Sequence, residues 1–218
     1  MCERFCLAHS SLKYWYGARV MPDKEPSYSI APTTDVVVIR DGVLGRMGSL
    51  MRWSLILYWA KDTQKVPLLH NVRSEAIRVD PLVRKAFRQQ RCLIPASGFY
   101  GTQLKADGTK QPFYACAKDG HPFSFAGIWA TVLKPTGERI NSCSIITIRS
   151  NALMQPIQER MPVIVPSSIG TPGSVPPRAL MKRCWLFCSH PIRTRWIYGR
   201  SLLPETWPRK PDEGYAAE

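Results

Sequence analysis

Long hydrophobic runs are missing from this chain. Nowhere in its 218 residues do 18 apolar residues follow one another, so no membrane-spanning helix is expected. The N-terminus lacks a basic segment leading into an apolar one, and no secretion signal is read there. A regular cysteine framework is also absent. The seven cysteines, at positions 2, 6, 92, 116, 143, 184 and 188, form an odd set, which suits reduced thiols in a reducing compartment. A cytoplasmic location is expected, associated with the nucleoid in a bacterium or lying in the nucleus of a eukaryote. Cys184-x-x-x-Cys188 is followed by His190, but no second ligand pair stands at finger spacing. Neither a metal nor any other cofactor is expected. Acidic residues are scarce, 16 against 30 Lys and Arg, which gives a formal charge of +14. That excess favours a polyanionic partner, nucleic acid before an acidic membrane surface. Residues 1–165 carry +10 of it and residues 166–218 carry +4.

The chain opens Met1-Cys2-Glu3-Arg4-Phe5-Cys6. Loss of Met1 would leave an α-amine and a thiol on the same two-carbon unit, which no internal cysteine offers. Such a 1,2-aminothiol condenses with an aldehyde to an imine, and the thiol then closes a five-membered thiazolidine. An α-amine has an ordinary pKa of about 8, so more of it is neutral at pH 7 than of a lysine side chain.

Further along, Ser10 to Tyr16 suits a short helix and Pro22 to Pro26 a loop. Val36-Val37-Val38-Ile39-Arg40 reads as a buried strand, with Asp41-Gly42 as a hairpin turn. Met47 to Trp59 is a second apolar segment. Its tryptophans and Arg52 suit base stacking and phosphate contact, and suit an aromatic core better. Asp80-Pro81 opens a helix to Gln90, its apolar face built from Leu82, Val83, Ala86 and Phe87 and its charges read as a solvated face. Cys92 to Tyr100 reads as a strand entering a small-residue turn, and strands are expected over Pro112 to Ala117, Phe123 to Val132, Ser142 to Ile148 and Val163 to Val165, with a helical turn from Asn151 to Pro156. Many short strands with little helix between them indicate an α+β fold, mainly antiparallel β. From Pro166 the character changes. Eight prolines fall in the last 53 residues, and an irregular basic tail is expected.

Several segments together resemble the SOS-response-associated peptidase family, the abasic-site processing proteins. They are Met1-Cys2-x-Arg4-Phe5, Tyr28-x-Ile30-Ala31-Pro32-Thr33, Met51-Arg52-Trp53-x-Leu55-Ile56, Asn71-Val72-Arg73-Ser74-Glu75, Arg91 to Tyr100, and Arg160-Met161-Pro162-Val163. The matches run in register over residues 1–165 and set residues 166–218 apart as a tail. The resemblance implies a β-barrel-type domain acting as a monomer on single-stranded DNA, or on its junction with duplex, at abasic sites. It implies that Cys2 bonds covalently to the ring-opened sugar aldehyde. It also places Asn71 and Arg73 beside the sugar and its phosphates, and Arg4 and Trp53 along the DNA channel.

The departures are as specific. After Gly98-Phe99-Tyr100 the family has a glutamate and a tryptophan, where this chain has Gly101-Thr102. Before Arg160 it has histidine then aspartate, where this chain has Gln158-Glu159. The resemblance assigns acid–base steps to that glutamate and histidine. Glycine has no side chain to move a proton and glutamine does not titrate. Three readings stay open: a crosslinking enzyme with self-processing of Met1, a DNA-binding remnant, and a chain left unstable by a missing final strand. A cysteine-protease reading needs a histidine beside the thiol, and His9, His70, His121 and His190 include none at the family position.

Overall fold

The computed structural model describes residues 3–9, 12–56, 69–134, 136–165, 196–201 and 215–216. In chain order the elements are β1 (Phe5–Leu7), α1 (Leu12–Tyr16), β2 (Ser27–Ile30), β3 (Asp35–Gly42), β4 (Gly45–Trp53), β5 (Asn71–Arg73), α2 (Ala76–Val79) and α3 (Pro81–Gln89). There follow β6 (Arg91–Ala96), β7 (Gly98–Leu104), β8 (Lys110–Ala117), β9 (Phe123–Leu133), β10 (Arg139–Arg149), β11 (Arg160–Pro162), β12 (Ile164–Val165), β13 (Trp196–Ser201) and β14 (Tyr215–Ala216).

Five strands close into a barrel. β4 pairs β3, β3 pairs β6, β6 pairs β9 and β9 pairs β10, all antiparallel, and a parallel β10–β4 pairing shuts the ring. A second sheet runs β14-β13-β8-β7-β1-β2. Val36 to Ile39 and Ser142 to Ile148 are buried continuously rather than alternately. Strands of that kind are covered on both faces. Phe5 and Phe99 of the second sheet pack edge-on against Phe125 of β9, with centroids at 5.4 and 6.1 Å. The mainly antiparallel α+β fold expected from the sequence is the fold observed.

Three local expectations are corrected. The run from Cys92 to Tyr100, expected as a strand entering a small-residue turn, is two strands, because the chain leaves the barrel and enters the second sheet at Ser97-Gly98. There Ser97 N donates to Cys6 O and Ser97 Oγ accepts from Ala8 N, both at 2.8 Å. Only glycine fits at 98, since the Tyr114 ring lies where a Cβ would stand. The β3–β4 hairpin turns at Val43-Leu44, with Gly42 paired to Gly45, and Asp41 stays in the strand opposite Arg46. Gly45, at φ +119°, follows the turn in a backbone conformation that favours glycine. Finally, the expected irregular tail contains β13, which pairs with β8 from Trp196↔Ala117 to Arg200↔Phe113. The β-favouring Trp196-Ile197-Tyr198 covers the β8 edge, which removes the open edge as a reason for instability.

The helix α3 forms as its sequence dictates. Asp80 caps it, its Oδ1 accepting from Leu82 N at 2.8 Å and Val83 N at 3.3 Å, and Pro81 fills the first position. Val83, Ala86 and Phe87 are buried against the barrel.

Candidate functional site

The site grows from where the N-terminal strand meets β7. Phe5 pairs Phe99, and Arg4 O accepts from Tyr100 N at 3.0 Å. The strand therefore heads toward Gly101. Cys2 itself lies outside the described residues. Arg4 donates from Nη1 to Ser29 Oγ at 2.8 Å, which ties the same stretch to β2.

Gly101 and Gln158, 57 positions apart, are in contact. A Cβ added at Gly101 would lie 3.0 Å from Ile157 Cγ2 and 3.3 Å from both Gln158 Cδ and Oε1. The turn that presents Gln158 is built locally. Asn151 Oδ1 accepts from Met154 N at 3.0 Å, and Ile157 N and Gln158 N both donate to Met154 O at 3.0 Å. Gln103 Nε2 donates to Pro156 O at 2.8 Å and holds the turn against β7. Gln158 Nε2 is buried and has no hydrogen-bond partner among the described residues. A buried, unused amide donor beside a glycine is what remains where two proton-transferring side chains were expected.

Asn71 and Arg73 sit on β5, which adds to β10 in parallel with Asn71 opposite Ile145 and Arg73 opposite Thr147. Strand alternation turns both to one face while buried Val72 points to the other. Arg73 is exposed. The loop after β5 is clamped. Arg160 Nη2 donates to Glu75 Oε2 at 2.8 Å and Nη1 to Oε1 at 3.3 Å, while Nη2 also reaches Thr147 O at 2.8 Å. The guanidinium holds the Glu75 carboxyl below its ordinary pKa. This Glu75–Arg160 clamp was not recognised from sequence, although both residues stand in quoted motifs.

Trp53 requires correction. Expected along the DNA channel, it is 0% exposed and has no ring face for a base. Its core placement follows from its neighbours. Phe5 meets it edge-on at 5.0 Å, His70 does so at 5.9 Å, and its Nε1 donates to His70 O at 2.8 Å. One buried indole thus fixes both the N-terminal strand and the entry to Asn71. Trp59, the other tryptophan of that apolar segment, lies outside the described residues, as do Cys184, Cys188 and His190.

Three of the four described cysteines are poor nucleophiles. Burial pushes the Cys6 thiol up to about 12 against the opposing hydrogen bond of Tyr114, whose hydroxyl is 2.9 Å from Sγ. Burial also raises Cys143 and Cys116. Such thiols stay protonated at neutral pH and do not attack. No group of three or more His, Cys, Asp or Glu among the described residues could hold a metal ion. No described helix is long and apolar enough to cross a membrane.

Fold and site together define a closed-barrel protein whose site is assembled around its N-terminal strand. Known proteins sharpen that class. The SOS response associated peptidase (SRAP) family matches residues 1–170. The abasic site processing protein YoqW of Bacillus subtilis is 36% identical over 171 residues, covering 76% of each chain. The abasic site processing protein HMCES of Xenopus tropicalis is 26% identical over 171 residues, covering 65% of this chain and 51% of its own. Crystal structures of proteins from Bacteroides thetaiotaomicron and Bordetella bronchiseptica share the fold. Their TM-scores are 0.75 and 0.73 at 20% and 22% identity, over 92% and 93% of this chain and 92% and 100% of theirs. The chain belongs to the SRAP family.

Proposed function

We propose that the chain binds single-stranded DNA, or its junction with duplex, and captures abasic sites through Cys2 once Met1 is removed. The α-amine adds to the sugar's C1′ aldehyde and loses water to give an imine. The thiol then adds across the C=N bond, its proton passing to nitrogen, and a thiazolidine joins protein to DNA. Chain connectivity keeps the Cys2 Cα within about 7.6 Å of the Arg4 Cα, and Arg4 O is bonded to the residue before Gly101. The raised pKa of Cys6, Cys116 and Cys143 leaves these thiols no part in this chemistry. Arg73, exposed on β5, meets phosphate, and Asn71 contacts the sugar.

The observation that carries the reading is the Gly101–Gln158 contact beside this strand. It supports capture with weak proton transfer, hence slow crosslink formation and slower reversal. Loss of a general acid or base commonly lowers a rate 10²–10⁴-fold, on the order of magnitude, while an intrinsically reactive aminothiol held next to its aldehyde keeps part of its advantage. The test is incubation of Met1-processed protein with abasic single-stranded DNA. A slow Cys2-dependent band shift on a denaturing gel is expected. Identical patterns for wild type and Cys2→Ala would refute it. The second reading, a DNA-binding remnant, draws on the same glycine and glutamine, and predicts binding with no covalent band.

A further inference from the structure

The segment that follows Asn71 carries an unbalanced charge. Between residues 71 and 91 stand Arg73, Arg78, Arg84, Lys85, Arg88 and Arg91, against two carboxylates. Both carboxylates are committed elsewhere. Glu75 is held by Arg160, and Asp80 accepts the N–H groups that start α3. Arg84 donates to Arg78 O, and Arg91 Nη1 donates to Phe87 O at 2.6 Å and to Arg88 O at 3.1 Å, so these two cations also fasten the helices. Arg73, Arg78 and Arg88 are exposed and make no ion pair with another described residue. On α3 the spacing Arg84–Arg88 is i,i+4, and like charges so placed oppose the helix. A face that presents Arg73, Arg78 and Arg88 with no ion-pair partner among the described residues is built for an outside anion.

Its aromatic content selects among anions. The only aromatic residue from 71 to 91 is Phe87, which is 6% exposed and packed inward. Residues 71–91 themselves offer bases no exposed ring to stack on, so they suit a backbone that presents phosphates outward and keeps its bases inside. The nine residues of α3 span roughly 13 Å, about four steps of a DNA strand.

We propose that the α2–α3 face, continuous in sequence with the lesion-binding strand β5, seats the phosphate backbone of a double-stranded arm flanking the captured site. This rests on the DNA reading above, and the test separates the two. Arg78→Gln/Arg88→Gln removes two exposed cations and retains helix-forming side chains. Binding to an undamaged blunt duplex and to a single-stranded oligonucleotide is followed by fluorescence anisotropy from 50 to 200 mM salt. On duplex, the slope of log affinity against log salt should flatten by about 1.8, so that wild type loses roughly tenfold more affinity than the variant across that range. On the single strand, the slope should not change. Equal slopes for both proteins on duplex, or the same flattening on the single strand, would overturn the proposal. So would a loss of binding to phosphatidylserine vesicles with duplex binding intact. Absence of a Cys2-dependent crosslink in wild type, with the duplex effect present, would refute the capture chemistry and leave this surface standing.

Discussion

Restoring a carboxylate at position 101 is the perturbation that the site geometry addresses most closely. Gly101→Glu must fit a Cβ 3.0 Å from Ile157 Cγ2, and Ile157 is only 5% exposed. The methyl has to yield by several tenths of an ångström, and crowding of this kind typically costs about 1–3 kcal/mol. Replacing a strand glycine returns about 0.4–1 kcal/mol through the unfolded chain. The net expectation is a loss of about 1–2 kcal/mol, or roughly a 2–8 °C lower Tm for a chain of this size. Against that, Gln158 Nε2 lacks a hydrogen-bond partner among the described residues, and a carboxylate that reaches it gains a donor to orient it. Proton transfer by a positioned group raises rates by about 10²–10⁴-fold. Single-turnover crosslinking of abasic single-stranded DNA, followed on denaturing gels, should therefore accelerate at least tenfold while the melt shifts down. Gly101→Ala is the steric control and should show the melt shift without the acceleration. Ile157→Leu removes the crowding methyl and should shrink the Gly101→Ala penalty in a double-mutant cycle. A folded Gly101→Glu protein that reacts at the wild-type rate would refute the view that missing proton transfer limits this site.

Three further outcomes are expected. Trp53→Phe loses the indole bond to His70 O, although that carbonyl still accepts from Ile145 N at 3.0 Å. With the smaller ring, stability should fall by about 2–3 kcal/mol, and an unchanged thermal melt would show that Trp53 does not organise the site. Glu75 has a folded pKa held down by Arg160, so its contribution is present above the unfolded value of about 4.3 and is lost as pH falls through the folded one. Melts of wild type and Glu75→Gln should differ slightly at pH 7, by less than about 1 kcal/mol for a pair whose carboxylate is exposed, and converge as pH falls below the folded value. A gap that persists in acid rules out the ion pair as its source. Thr33 adopts φ 74° with a β-branched side chain, a conformation that costs about 1–2 kcal/mol. Thr33→Gly should raise stability by up to about 1 kcal/mol in urea unfolding, net of the entropy glycine adds to the unfolded chain, and a lower midpoint would contradict this.

Much of the architecture was legible because strand patterns are local. The apolar run at Val36 to Ile39, the helix capped by Asp80 and the long strands from Phe123 and Ser142 all appear near their expected limits. The small residues at Ser97-Gly98 marked a turn, but did not show that the chain resumes there as a strand of the other sheet, because it keeps the same apolar character on both sides of the bend. Position 98 needs glycine only because Tyr114, sixteen residues on, packs over it. The substituted pair at Gly101 and Gln158 was visible as a departure from family motifs, whereas their contact is a product of the fold. Trp53 illustrates the limit. An aromatic residue beside an arginine suits a base-stacking platform as well as the favoured core in sequence, and burial against Phe5 and His70 decides for the core. The Glu75–Arg160 clamp joins residues 85 positions apart, a separation that carries no local pattern.

The central claim is that an N-terminal aminothiol on this barrel captures an abasic aldehyde in DNA. Intact-mass spectrometry of the purified protein, before and after incubation with an abasic single-stranded oligonucleotide, tests it most directly. The predicted result is a protein lacking Met1 that gains the mass of the oligonucleotide less one water, with no gain for Cys2→Ala. Retained Met1, or a mass unchanged by the abasic strand, would contradict it.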